Sequence, residues 1–235
     1  EKKLLQPKAV YGIWPANQVN ADDLHLYSED NLSEIASLQH IRQQQDRNAD
    51  KKFQSLADFV APKESGLKDY LGGFTVCIEG ADELAEKYQA EHDDYRAIMV
   101  KALADRFAES LAEYLHKLIR TKFWGYQADE SLSNEEIVAE KYQGIRPAPG
   151  YPACPDHTEK RKLFDLLDVA NAIGCTLTEN FAMSPASSVS GWYFSHPKSR
   201  YFGTGKIGRD QLASLAERKG MSEDELERWL RPVLE

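Results

Sequence analysis

The chain has 235 residues, 42% of them hydrophobic, and a formal net charge of −9. That is enough apolar material for a sizeable core, in one large domain or two small ones. The negative balance argues against a phosphate-backbone ligand, since Lys51-Lys52 and Lys160-Arg161-Lys162 are only short cationic stretches, and no apolar run reaches the roughly 18–20 residues that span a bilayer.

Cys77, Cys154 and Cys175 lie far apart, and an odd number cannot pair completely. A reducing, cytoplasmic setting is the simple expectation. The chain opens on Glu1 with no secretory or transit pattern behind it. That start reads as a cut from a longer polypeptide.

Residues 8–28 read as extended structure, broken at Pro15-Ala16-Asn17, with Leu24-His25-Leu26-Tyr27 as a paired strand. Ser33 is placed to cap a helix running to about Arg47, with Ile35, Leu38 and Ile41 on one side. Tyr70 to Ile78 is a strand rich in aromatic and β-branched residues. Residues 82–123 carry apolar side chains at three- and four-residue steps without a proline. The pattern predicts one long helix, or two with a joint near His92-Asp93-Asp94, closing before Gly125. Ser133-Asn134-Glu135-Glu136 starts a short helix as a capping box.

Residues 144–157 hold four prolines and two glycines, which excludes regular helix and central strand. A helix is expected from about Thr158 to Ala172. Ser187–Phe194 and Tyr201–Ile207 read as two strands around the turn at Ser195-His196-Pro197-Lys198. Two short helices close the chain, the second opening at Ser222. Strands and helices do not alternate, so the predicted class is α+β, an antiparallel twisted sheet with long helices packed around it.

The loop at 144–157 is the most informative segment. Long proline-rich loops in compact domains are functional or disordered, and this one is poor in charge. Its prolines leave the carbonyls of Pro147, Ala148 and Pro149 without ladder partners, available to an amino or adenine group. Gly150 allows a close approach to the backbone. Arg146 offers a planar fork for a carboxylate, and Tyr151 a ring face with a hydroxyl. A loop packed by its prolines, with Arg146 in an ordinary ion pair, is the bland alternative.

Around Ser188–Pro197 and Arg200-Tyr201-Phe202 aromatics crowd, and a cationic sulfonium could sit against a ring face. Trp192 and Phe194 fit core filling better; Tyr201 fits either role. Asp105 and Glu109 share one helix face, a pattern that is usually solvated. Cys154 and His157 have metal-ligand spacing but no second pair. Gly203-Thr204-Gly205-Lys206 lacks the full Walker spacing.

The run from Gly144 to Lys160 resembles the signature of the activation domain of cobalamin-dependent methionine synthase, whose Arg-x-x-x-Gly-Tyr motif matches Arg146 to Tyr151. Leu56–Lys63, His92–Tyr95, Met99–Arg106, Ser188–Pro197, Lys219–Ser222 and Glu227–Leu230 are similar too, so the likeness covers essentially the whole chain, residues 1–235.

The resemblance implies a module that binds S-adenosylmethionine and supports reductive remethylation of cob(II)alamin. The cobalamin would lie on a neighbouring domain of the same polypeptide, with flavodoxin or a flavoprotein reductase as electron donor, and zinc elsewhere in the intact enzyme. It implies Arg146 at the ligand carboxylate, backbone from Ala148 through Gly150 to Tyr151 around the ligand, Tyr201 as a further contact with Phe202 beside it, Glu109 near the ligand, and Asp105 toward the cobalamin domain. The fragment alone is not expected to be catalytic. The family's upstream Asp-Trp-x-x-Phe-Phe segment is absent, so one wall of the site is expected to be missing. The alternative is a docking module that contacts the cobalamin domain and the electron donor without binding the ligand.

Overall fold

The computed structural model describes residues 4–30, 32–44 and 52–235. A five-stranded sheet has the order β3-β2-β1-β4-β7, from β1 (Gln6–Val19), β2 (Asp23–Tyr27), β3 (Glu34–Gln39), β4 (Asp69–Glu79) and β7 (Ser188–Tyr193). β1 pairs antiparallel with β2, and β2 antiparallel with β3. A small hairpin, β5 (Thr176–Leu177) with β6 (Met183–Ser184), stands apart from it. The class is α+β, as expected.

The chain divides into two compact units. The first comprises Glu1–Gly12, Gly73–Glu130 and Leu163–Gly191. Two of its helices are α1 (Ala81–Ala90) and the long α2 (Asp94–Leu118), joined where predicted: His92 takes a positive φ of 58°, and the Asp93 carboxylate accepts from the Arg96 N–H at 2.9 Å to cap α2. Alanines at 97, 104, 108 and 112 give α2 a narrow buried face. Ala104 and Ala108 join Ile78 and Ala81 in a core cluster, with Leu5, Val100, Leu111 and Val189 packed on it. The helix ends in a π-turn over Ile119–Phe123, before Gly125.

The second unit comprises Ile13–Gly72, Ser131–Lys162 and Trp192–Glu235. α3 (Asn134–Val138) opens with the predicted capping box on Ser133. α6 (Arg209–Lys219) and α7 (Glu223–Leu230) bury Leu212, Leu215, Leu226 and Leu230 with Ile41, Ile207 and Leu234. The Ser222 hydroxyl accepts from the Glu225 N–H.

Four predicted elements differ. β1 is not broken at Pro15-Ala16-Asn17 but continues through them to Val19, with Ala16 opposite Leu26 and Asn17 opposite His25 on β2. Glu34–Gln39 is a strand, not a helix: Leu24 stands opposite Leu38 and Leu26 opposite Ala36, so burial along the β2 ladder outweighs helical spacing. Ser33 closes this hairpin instead of capping a helix, its carbonyl accepting from the Ser28 N–H at 2.9 Å. The last part of the predicted helix, 45–47, lies outside the described residues. The helix expected over 158–172 is two, α4 (Glu159–Leu166) and α5 (Val169–Ile173), because Asp168 adopts a left-handed conformation. Residues 201–206 form no strand, and only Ile207 makes a bridge, to Leu234. The place beside Phe194 is taken by Ile145, each donating its N–H to the other's carbonyl at 3.0 Å. Cys77, Cys154 and Cys175 are free and buried. Among the described residues no helix is long and apolar enough to cross a membrane.

Candidate functional site

The proline-rich segment is an ordered turn within the second unit. Its entry is bonded to β7 and the residue after it: Ile145 pairs with Phe194, and the Pro147 carbonyl accepts from the Trp192 N–H at 2.9 Å. Its tip is closed by the Gly150 N–H on the Cys154 carbonyl, at 2.7 Å, and the Tyr151 N–H on the Ala148 carbonyl, at 3.2 Å. Two of the three carbonyls expected to be open, those of Pro147 and Ala148, are therefore engaged. Pro147 accepts from β7 and Ala148 from main chain brought back by the turn, neither of which spacing in the sequence reveals.

Arg146 is held at both ends. Its main-chain N–H donates to the Tyr201 hydroxyl at 3.0 Å, and its guanidinium donates to the Tyr142 hydroxyl at 2.7 Å. The guanidinium is half-buried, whereas Tyr151 and Tyr201 are 64% and 43% exposed. Phe202 is half-buried and meets the ring of buried Phe59 edge-on, centroids 6.4 Å apart. Trp192 and Phe194 are wholly buried, as core filling requires. Gly150 does not keep space open: at its φ of +94° a β-carbon would lie 2.2 Å from the His157 ring. The close approach is made by the protein's own imidazole.

A model of the vitamin B12 dependent methionine synthase activation domain matches residues 1–220. The chain belongs to this family. It is also similar to a crystal structure described as the MetH reactivation domain bound to AdoHcy, with 54% identity and a TM-score of 0.95 over 99% of this chain and 71% of that one.

The Arg146 turn of this activation domain is anchored at its far end by groups that sequence reasoning missed. Lys219, at the last turn of α6, reaches Asp156 at 2.8 Å and also pairs with Glu159. All three side chains are at most 3% exposed. Burial alone would lower the Lys219 ammonium's pKa, but the carboxylates of Glu159 and Asp156 outweigh it and hold the pKa above its ordinary value. Lys162 donates to Glu159 at 3.0 Å and to the Ser37 carbonyl at 2.8 Å. Nothing in the sequence pairs position 219 with position 156; the fold brings them together across more than sixty residues.

His40 lies in the same charged interior. Burial, then the charges of Lys162, Lys219 and Arg218, push its pKa down to about 3, so it is neutral. Gly203–Lys206 serves structure: the Thr204 N–H and hydroxyl donate to the Pro152 carbonyl, and the Lys206 ammonium to the carbonyls of Pro232 and Leu234. Among the described residues no three His, Cys, Asp or Glu side chains gather as metal ligands.

Asp105 and Glu109 belong to the first unit, on exposed positions of α2. Asp105 accepts from the Ser187 hydroxyl at 2.7 Å. The structure thus gathers Arg146, Ala148, Gly150, Tyr151, Tyr201 and Phe202 in one unit and carries Asp105 and Glu109 in the other.

Proposed function

We propose that this activation domain holds S-adenosylmethionine on the Arg146–Tyr151 turn, as the methyl source for reductive remethylation of cob(II)alamin in methionine synthase. The observation that carries this reading is the setting of Arg146. Tyr201 ties its main chain and Tyr142 its guanidinium, so a planar cation is fixed on the turn that also presents the exposed Tyr151 ring. Such a fork suits a carboxylate, and exposed ring faces suit an adenine or a sulfonium. A relative 54% identical and crystallised with AdoHcy supports the same ligand class.

When bound, S-adenosylmethionine supplies a sulfonium methyl to cobalt. The chain's residues have a positioning task. Arg146 takes the carboxylate, backbone from Ala148 to Tyr151 lines the ligand, and Tyr201, with Phe202 beside it, walls it. The step moves a methyl rather than a proton, so no side chain here has to titrate. Asp105, on α2, is assigned to the cobalamin domain, which belongs to the same polypeptide. The electron comes from flavodoxin or a flavoprotein reductase, in the cytoplasm, and the zinc of the intact enzyme lies outside this chain.

The test is calorimetric titration of AdoHcy into a chain extended to the length of the crystallised relative. Arg146→Ala should weaken binding at least about tenfold, the loss of a charge-assisted pair. Equal affinity before and after the change sinks the assignment.

A further inference from the structure

The second unit carries a cavity of about 470 Å³ whose lining includes no residue of the Arg146 turn. That volume falls in the range of about 300–1,000 Å³ usual for small-molecule sites. Asn17 of β1, Tyr27 of β2, Glu29 just beyond it, and Lys63, Lys68 and Tyr70 are among its walls. The wall from 61 to 70 is fixed to β1 by the protein itself. The Asn17 amide donates to the carbonyls of Ala61 and Leu67, each at 3.1 Å, and the Gln18 N–H donates to the Ala61 carbonyl at 3.0 Å. The Ala61 and Tyr70 N–H groups each donate to an oxygen of the Asp69 carboxylate at 2.8 Å, so that acid is turned to the main chain. A cavity braced in this way is pre-formed, which lowers the ordering cost of binding.

Its lining defines the chemistry of an occupant. The Tyr27 hydroxyl is buried and has no hydrogen-bond partner among the described residues. Such a group at a cavity wall calls for a partner from outside the chain. Lys63 and Lys68 are exposed and form no ion pair among the described residues, and the Lys63 ammonium stands 5.7 Å from the centroid of the Tyr27 ring. Tyr70, 36% exposed, offers a second ring. We propose that this cavity binds a small organic anion built on an aromatic ring. The ring packs against Tyr27 and Tyr70, and the anionic group meets the ammoniums of Lys63 and Lys68. Glu29 orients the ligand: its like charge repels the anionic end, which therefore faces the segment that carries both lysines. A phosphate and a carboxylate share this chemistry, and titration separates them.

The probes are phenyl phosphate and benzoate, titrated into the isotope-labelled 235-residue chain and followed by amide chemical shifts. Inorganic phosphate and phenol serve as half-ligands. At least one aromatic anion should bind saturably at about 1 mM or below, with shifts centred on Asn17, Tyr27, Lys68 and Tyr70. It should bind at least about tenfold more tightly than either half-ligand, because ring and charge act together. The tighter of the two probes tells a phosphate site from a carboxylate site. Lys63→Met with Lys68→Met should weaken binding at least about tenfold and leave the melting temperature unchanged, both side chains being exposed. Lys68→Glu alone should give a similar loss, so the result does not hang on the fold of the double variant. Tyr27→Phe should weaken binding several-fold. No saturable shift with either probe up to about 10 mM overturns the proposal. So do shifts centred on other residues, half-ligands that bind as tightly, or unchanged affinity in both lysine variants. None of these readouts passes through the Arg146 turn, so failure here leaves that assignment standing, and the reverse.

Discussion

Gly150 and His157 occupy each other's space: a β-carbon on residue 150 would lie 2.2 Å from the imidazole Cε1. Gly150→Ala therefore meets two penalties, the ring and a φ of +94° that L side chains rarely adopt. Thermal unfolding should show a loss of about 2–4 kcal/mol. Adding His157→Ala removes the ring but not the backbone strain, so it should restore about half. Full rescue, or none, would contradict this division.

Tyr201→Phe removes the acceptor of the Arg146 N–H while keeping the ring. Tyr201 is 43% exposed, so water can replace the hydroxyl. Stability should fall by no more than about 1 kcal/mol. If the turn holds the ligand, AdoHcy affinity in the longer chain should fall several-fold through loss of register, a difference that calorimetry resolves.

Lys219→Met strips the cation from Asp156 and Glu159, both almost fully buried. Breaking one side of such a set costs about 3–5 kcal/mol, because the remaining charges stay desolvated. Urea unfolding should show this loss. The double change Lys219→Met with Glu159→Gln should cost less than the two single losses added together, since the partners act as one unit.

His40 predicts acid sensitivity. Its pKa is depressed to about 3 in the folded chain against an ordinary 6.5, so below about pH 6.5 the unfolded chain binds a proton that the folded chain refuses. Its contribution is intact above that pH and is lost as pH falls toward about 3, by up to about 1.4 kcal/mol per pH unit. Chemical denaturation at pH 7.5, 6 and 5 should show the slope, and His40→Phe should flatten it if the fold survives. An unchanged slope in the variant would exclude His40 as the source.

Arg120 and Glu130 form a two-point ion pair, Nε to Oε2 at 2.6 Å and Nη2 to Oε1 at 2.9 Å, with side chains 0% and 3% exposed. It braces the loop that follows α2. Glu130→Gln keeps the shape but removes the charge, and should cost about 3–5 kcal/mol in denaturant unfolding. A cost below about 1 kcal/mol would class the pair with exposed salt bridges.

The sequence by itself determined the local grammar of this activation domain. The α1–α2 pair with its joint at His92–Asp94, the caps at Ser133 and Ser222, the strands at 24–27 and 70–78, and the irregular turn carrying Arg146 all follow from periodicity, capping chemistry and proline content, which act within a few residues. Family membership was legible in the motif from Arg146 to Tyr151. Only the tertiary structure decided that 34–39 pairs with β2, that Ile145 rather than residues 201–206 lies beside Phe194, that His157 fills the space of Gly150, and that Lys219 holds Asp156. Each of these depends on burial and pairing between residues distant in the chain, and such energies leave no periodic trace in the order of amino acids.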